Sequence, residues 1–370
     1  MKKRIAVVPG DGIGEEVMEQ ALRVLAKIAE QFDHQFTLRH ALAGGAAFDK
    51  FGKHLPDETL QICRESDAIL FGSVGGPVAD QHLPKWKNCE ANSILTLRKT
   101  FKFNANYRPV KIYKHVQEIS PLKAEIISKG VDLLIIRELL GDCYFGEHKT
   151  ALVDGRRVAT DLSIYNEDQI AAVAHVAFKA ARLRRKKLCS VDKANVLDTS
   201  KLWREVVREV HKEYSDVQLE EMLVDNCAMQ LVREPSQFDV IVTSNMFGDI
   251  LSDAAAVLPG SLGLLASASM NADGFGLYEP PGGSAPDIAG TGRANPIAQI
   301  LSVAMMLRFS FALEEEARAI ESSVEQVLTD GHRTQDIYRE TQDGNTKLVN
   351  CQAMTNLILS GITAAKPALV

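Results

Sequence analysis

One repeated alternation constrains this chain more than any other feature. Short runs rich in Val and Ile are each followed by a longer segment whose apolar residues recur every three to four positions. The runs at 4–8, 68–71, 133–136, 188–191 and 239–243 predict strands. The segments 15–29, 167–182, 200–214, 246–257 and 296–312 predict helices, with Pro296 at a natural first-turn position. Strands joined through helices return in the same direction, so the alternation predicts an α/β fold with a largely parallel sheet. Two stretches break the pattern. Residues 154–165 (DGRRVATDLSIY) alternate branched and polar side chains, predicting an antiparallel strand with one exposed face. Residues 259–295 are dense in Gly, Pro, Ser and Ala, and are expected to be irregular and functional.

The loop after the first strand, VVPGDGIGEE, raises the question of a dinucleotide. Gly10 and Gly12 match the start of G-x-G-x-x-G, but the third position falls on Glu15 and Gly14 comes one residue early. A carboxylate there would repel a pyrophosphate. A plain strand-to-helix turn is expected, with any dinucleotide gripped elsewhere.

Several constellations carry chemistry. In SNMFGDILSD, Asp249 and Asp253 are four residues apart and share one helical face. Two stacked carboxylates repel unless a cation joins them, and hard oxygens suit Mg2+ or Mn2+. The plain alternative is two solvated aspartates near a helix start. Asp225, just past another strand in EEMLVDN, offers a third carboxylate where open α/β sheets place their sites. Lys193 follows a strand in CSVDKANVLD. It is either a base whose pKa a nearby cation lowers, or a surface lysine paired with Asp192 or Asp198. Arg98, Arg108 and Arg137 would suit a substrate with more than one carboxylate, or form three unrelated ion pairs. Arg137 ends a strongly apolar strand, where an unpaired charge is expensive. Tyr144, between Gly141 and Gly146, is a packed aromatic or a proton donor in a tight loop. In EPPGGSAPDIAGTGRANP, Gly282, Gly283, Gly290 and Gly292 could admit phosphate to the backbone. Asp287 there could accept from ribose hydroxyls and repel the extra phosphate of NADP.

Bulk properties close off other classes. The net charge is −6 with a pI of about 5.9, so nucleic acid is not expected as a partner. The basic run at 182–187 (RLRRKK) closes a predicted helix, where cations suit the dipole. Six scattered cysteines without a C-x-x-C pair suit reduced thiols in a cytoplasmic protein. The first apolar run stops at Pro9, too soon for a signal peptide, and no segment reaches membrane-spanning length.

Taken in order, PGDGIG, LRK, YRP, RELLGDCYFGE, DKANVL, VDNCAMQLV, NMFGDILSD and EPPGGSAPDIAGTGRANP resemble the β-decarboxylating dehydrogenases of the isocitrate/isopropylmalate type over nearly the whole chain. The resemblance implies a non-Rossmann α/β fold, with two domains flanking an active-site cleft. Residues 1–103 with 260–370 would bind the cofactor; 104–259 would hold substrate and metal and form the dimer. It implies NAD-dependent oxidative decarboxylation of 3-isopropylmalate, a step of leucine biosynthesis, with isocitrate, tartrate or D-malate as alternative substrates. Arg98, Arg108 and Arg137 would bind the substrate carboxylates, beside Asp225, with Ile94 and Leu95 against an isopropyl group. Asp225, Asp249 and Asp253 would hold Mg2+ or Mn2+. Lys193 and Tyr144 become base and acid, with Lys193 and Asp225 reaching the partner's site in an obligatory homodimer. Gly75, Gly76, Glu279, Gly282, Gly283, Ser284, Ala285, Pro286, Asp287, Ile288 and Asn295 would hold NAD, with GDGIG as their neighbour. The chain departs from the family pattern in three places, the first being Gly282, which replaces a histidine that some relatives stack on adenine. Asp142 and Cys143 replace small or apolar residues beside Tyr144. Residues 88–97 carry one residue more than the usual form, displacing Glu90 from a cofactor-contacting position.

Overall fold

A computed structural model describes residues 1–340 and 344–363. Its strands are β1 (Lys2–Gly10), β2 (Gln35–His40), β3 (Ala68–Ser73), β4 (Ala105–Lys111), β5 (Asp132–Glu138), β6 (His148–Val153), β7 (Arg156–Asp161), β8 (Lys187–Asp192), β9 (Gln218–Leu223), β10 (Val240–Thr243), β11 (Ser267–Met270) and β12 (Gly276–Glu279). The helices are α1 (Gly14–Gln31), α2 (Gly44–Phe51), α3 (Asp57–Arg64), α4 (Thr96–Thr100), α5 (Ala124–Ile127), α6 (Glu167–Arg182), α7 (Asp198–His211), α8 (Val224–Arg233), α9 (Asn245–Ala256), α10 (Ile297–Phe309), α11 (Glu314–Thr329) and α12 (Cys351–Gly361). All six predicted strands and all five predicted helices form, with ends shifted by a few residues.

Ten strands make one sheet in the order β2-β1-β3-β12-β11-β4-β5-β10-β8-β9. Both flanks are parallel, as the alternation predicts. The centre is not: β12, β11, β4 and β5 pair antiparallel in succession. The stretch 259–295, expected to be irregular, contributes β11 and β12 to this seam. The alternation missed β4 because Pro109 lies inside it and cannot donate to a ladder. Proline is tolerated there because β11 reaches only Ala105–Tyr107, leaving Pro109 paired on the β5 side alone. The hairpin β6–β7 is antiparallel as predicted, but every residue of β7 is exposed, so both of its faces are open rather than one. The basic run at the end of α6 is neutralised by Asp132, Asp216, Asp239 and Glu220.

Successive side chains on a strand point to opposite faces. One face carries two clusters: α1, α10, α11 and α12 cover the first flank, and α6 and α7 the second. On the other face, α5, α8 and α9 cover the second flank, while residues around Ile94, Leu97 and Phe103 cover the first. Between these last two clusters the sheet face turns polar. Asn106 and Arg108 follow Val110's parity on β4, Arg137 follows Ile135's on β5, and Glu279 follows Leu277's on β12. The seam therefore presents charged groups in a gap between two apolar cores.

Candidate active site

Arg137 is the anchor of this gap. It is only 2% exposed, among the largest buried side chains. Its Nε donates to Asn245 Oδ1 at 2.9 Å, and Nη1 donates to Asp249 Oδ1. Tyr144 donates to the other oxygen of Asp249 at 2.6 Å, and the Arg137 guanidinium lies 5.3 Å from the Tyr144 ring centre. Helix α9 comes this close because residue 248 is glycine: a Cβ there would sit 2.5 Å from Arg137 Cγ. Burial, and then the Asp249 carboxylate, push the Tyr144 hydroxyl up to about 12. It stays protonated at any working pH, as a proton donor must.

The three arginines converge. Arg108 Nε donates to Asn106 Oδ1 at 2.7 Å, and its Nη1 is 3.6 Å from Asp253. Arg98 is buried and pairs with Glu279 at 3.3 Å, while its Nε has no hydrogen-bond partner. Burial first, then the Arg98 and Arg137 charges, bring Arg108 down to about 10. Burial, opposed by Asp249 and reinforced by Arg98, also lowers Arg137. Guanidiniums that disfavour one another in a buried gap, one with an orphaned donor, are built for an anion.

Asp249 and Asp253 share one face of α9, as their spacing predicts. Mg2+ is usually held by one or two carboxylates plus water and ligand oxygens, so these two fit a hard cation. Asp225 stands apart from them. It accepts from Lys193 Nζ at 2.6 Å, which lowers its pKa; the Asp225 side chain is exposed and Lys193 half-buried. Among the described residues, no three His, Cys, Asp or Glu side chains cluster for a metal. The expected trio is thus two plus one within a single chain. Lys193 pairs with neither Asp192 nor Asp198, which are taken by Arg204 and Lys201.

The glycine loops meet at the other side of the gap. Ile13 donates its amide to the Ser284 carbonyl at 2.8 Å, and a Cβ on Gly12 would strike that carbonyl. The opening loop thus buttresses residues 282–295 from behind. Gly283 is open, Ala285 holds a φ of 39°, and Pro286 and Asp287 are exposed, while Ile288 is half-buried. Gly282 meets only Leu262. Gly75 lies near Ser284 Oγ and Glu90, but Gly76 is covered by the Trp86 ring. Asn295 is engaged by the first amide of α10 and by Asp336. Glu279 belongs with the arginines rather than with this loop. The open backbone around Gly283 and the unencumbered Asp287 fit a dinucleotide's phosphate and ribose. Residues Ala91–Leu95 form a π-turn, which holds more residues per turn than an α-helix. It places Ile94 in the core cluster with Leu97 and leaves Leu95 half-buried.

Sequence reasoning missed Asn106 and Asn245, the amides that orient Arg108 and Arg137. It also missed Asp11, a buried carboxylate that accepts amides from Gly45, Ala46 and Gly75 and so ties three loops together. The aspartate inside the glycine-rich turn was its only signal.

Comparison with known proteins agrees with this architecture. Residues 4–358 match the family model described as isocitrate/isopropylmalate dehydrogenase. The chain is 54% identical over 357 residues to a 3-isopropylmalate dehydrogenase of Clostridium acetobutylicum, covering 96% of this chain and 98% of the relative. It is 55% identical to one of Geobacter metallireducens, with the same coverage. An isocitrate dehydrogenase structure from Methylococcus capsulatus superposes with a TM-score of 0.83 at 35% identity, over 97% of this chain and 99% of that one. A β-decarboxylating dehydrogenase from Thermococcus kodakarensis gives 0.77 at 33%, over 97% and 96%. With an arginine-lined anion gap, a carboxylate pair and a glycine-rich cofactor loop on a matching fold, the chain belongs to the isocitrate/isopropylmalate dehydrogenase family.

Proposed function

We propose that this chain is an NAD-dependent 3-isopropylmalate dehydrogenase of leucine biosynthesis. It oxidises the C2 hydroxyl of (2R,3S)-3-isopropylmalate and releases the C3 carboxylate as CO2, leaving 4-methyl-2-oxopentanoate. The observation that carries the reading is the convergence of Arg98, Arg108 and Arg137 beside Asp249 and Tyr144. The names of relatives more than half identical supply the substrate.

Arg98, Arg108 and Arg137 bind and orient the two carboxylates, with the orphaned Arg98 Nε as a ready donor. Leu95, with Ile94 behind it, lies against the isopropyl group. Asp249 and Asp253, with Asp225, hold Mg2+ or Mn2+. Gly75, Gly282, Gly283, Ser284, Ala285, Pro286, Asp287, Ile288 and Asn295 hold NAD, Gly76 being covered by Trp86, and Glu279 fixes Arg98 between the two sites. When bound, the cation polarises the C2 oxygen and NAD accepts the C2 hydride. Lys193 takes the hydroxyl proton, relayed through Asp225. Tyr144 gives its proton to C3 as the carboxylate leaves.

In this reading the molecule is a homodimer in which Lys193 and Asp225 enter the partner's site. Their separation from Asp249 and Asp253 supports this. So do the exposed Met229 and Val232 on α8, and Ile250 on α9, an apolar surface of the kind copies bury against one another. Residues 1–103 with 260–370, of which 341–343 and 364–370 lie outside the described residues, act as the cofactor domain, and 104–259 as the substrate, metal and dimerisation domain. No helix of the described residues is long and apolar enough to cross a membrane, and the reading places the enzyme in the cytoplasm.

The test is NADH formation from 3-isopropylmalate with Mg2+ and then with EDTA, beside isocitrate, D-malate and tartrate. EDTA-sensitive turnover of 3-isopropylmalate above the others is expected. Preference for another of these acids would overturn the substrate while keeping the site.

A further inference from the structure

Asp142 is the feature of the active-site loop that the reaction leaves unexplained. It stands two residues before Tyr144, is buried, and holds a φ of 70°, in the left-handed region. A buried carboxylate in a backbone conformation that few residues favour needs a reason. Its partners supply one. Oδ1 accepts from its neighbour's amide, Cys143 N, at 2.9 Å and from Ser163 Oγ at 2.8 Å. Oδ2 accepts from the Met246 amide at 3.1 Å. Met246 lies in the first turn of α9, the helix that carries Asp249 and Asp253. That helix has no cap of its own, because Ser244 makes no capping bond and its hydroxyl is buried without a partner.

A second link runs in parallel. The Asn245 amide donates to Tyr165 Oη at 2.8 Å, and Tyr165 donates to Glu138 Oε2 at 3.0 Å. Glu138 is fully buried and also accepts the Leu140 and Gly141 amides at 2.6 and 2.8 Å. The Asn245 side chain closes the circuit by donating to the Gly141 carbonyl and accepting from Arg137. Orphan amides at a helix start need acceptors, and here Asp142 of the Tyr144 loop serves the Met246 amide while Tyr165, just before α6, serves the Asn245 amide.

We infer that Asp142 is a positioning residue that caps α9 from the Tyr144 loop and thereby holds Tyr144 in register with Asp249 and Asp253. The inference rests on the reading of Tyr144 as the proton donor. Glu138 and Tyr165 hold the same joint from the other side, through Asn245. A helix end and a loop that share these bonds move together. Releasing one side lets the Tyr144 hydroxyl drift from its 2.6 Å contact with Asp249.

The test compares Asp142→Gly, which keeps the left-handed backbone but removes the cap, with Asp142→Asn. Asparagine also tolerates that backbone; with its oxygen on the Met246 amide, its NH2 donates to Ser163 Oγ and only the Cys143 amide loses its acceptor. Steady-state kinetics on 3-isopropylmalate are read beside hydrogen exchange of residues 244–250. Glycine is expected to lower kcat about tenfold with KM for NAD within about twofold, since small misplacements of reacting groups are costly. The Met246 amide should exchange faster, and asparagine should restore most of both. Unchanged kcat in the glycine variant would overturn the inference. So would a loss that asparagine fails to rescue, or an unchanged Met246 amide. If the wild-type chain turns over none of the acids, the functional reading has failed, and exchange at Met246 still decides whether Asp142 caps the helix.

Discussion

The Arg137 cluster and the Lys193–Asp225 pair are both ion pairs at carboxyl ends of neighbouring parallel strands, yet they differ in almost every physical respect. Arg137 is buried and cross-linked to Asn245, Asp249 and, through Asp249, to Tyr144. Lys193 and Asp225 touch each other and face solvent. A buried pair is tied to the fold, because removing one partner strands the other's charge. An exposed pair contributes little, and evolution has no stability reason to keep it. In the homodimer reading, one group is an assembled half of a site, while the other is the half that a partner subunit would complete.

The comparison breaks or holds most sharply at Lys193. Lys193→Ala should lower kcat by about a thousandfold, the scale of a lost general base, while NAD binding and melting temperature stay put. Near-normal turnover in a steady-state assay would remove Lys193 from the mechanism. Mixing Lys193→Ala with Tyr144→Phe subunits sharpens the point. If Lys193 serves the partner's site, each mixed dimer regains one intact site and activity returns. If it serves its own, the mixture stays as inactive as its parents.

Arg137→Ala should show the opposite profile. It leaves Asp249, about a third of whose side chain is open to solvent, without the guanidinium it accepts from, and thermal unfolding should report a loss of about 1–3 kcal/mol alongside lost turnover. Activity lost without any fall in melting temperature would place Arg137 with Lys193 and dissolve the contrast. Gly248→Ala acts on the same cluster from the helix side, since its Cβ meets Arg137 Cγ at 2.5 Å. Overpacking there should cost about 1–3 kcal/mol in denaturant unfolding.

A pH profile tests the acid. Burial and Asp249 raise the Tyr144 hydroxyl from its ordinary value near 10 to about 12, so the neutral form is favoured and the proton is held throughout the working range. Any alkaline fall in kcat below about pH 11 should therefore survive in Tyr144→Phe. A limb that vanishes in the variant would show that Tyr144 titrates normally. The smallest expected effect on stability is Asp225→Asn, which should leave the melting temperature unchanged by calorimetry, since its ion pair with the half-buried Lys193 is itself open to solvent.

Much of this site was legible before any fold was known. Asp249 and Asp253 were placed on one helical face by their spacing, and Arg137 was marked by a charge at the end of an apolar strand. The flanks of the sheet followed from the alternation of strand and helix. The seam did not, because β11 and β12 lie in a stretch whose glycines and prolines mimic loop, and β4 contains Pro109. Asn106, Asn245 and Tyr165 escaped notice because an amide or a phenol in a sequence has no signature of the partner it will find. Asp142 could be seen as unusual beside Tyr144, but its target, an amide about a hundred residues away, could not.

Local chemistry thus determined the elements and the residue types available for catalysis: periodicity is a property of a few turns, and spacing on one helix is set by its pitch. Only the tertiary structure decided which distant groups share a site. The convergence of Arg98, Arg108 and Arg137 depends on three strands and a short helix meeting across an antiparallel seam. The isolation of Lys193 and Asp225 depends on where β8 and β9 end relative to α9. Both are outcomes of long-range packing, where burial and charge are balanced over the whole sheet and no short window of sequence carries the answer.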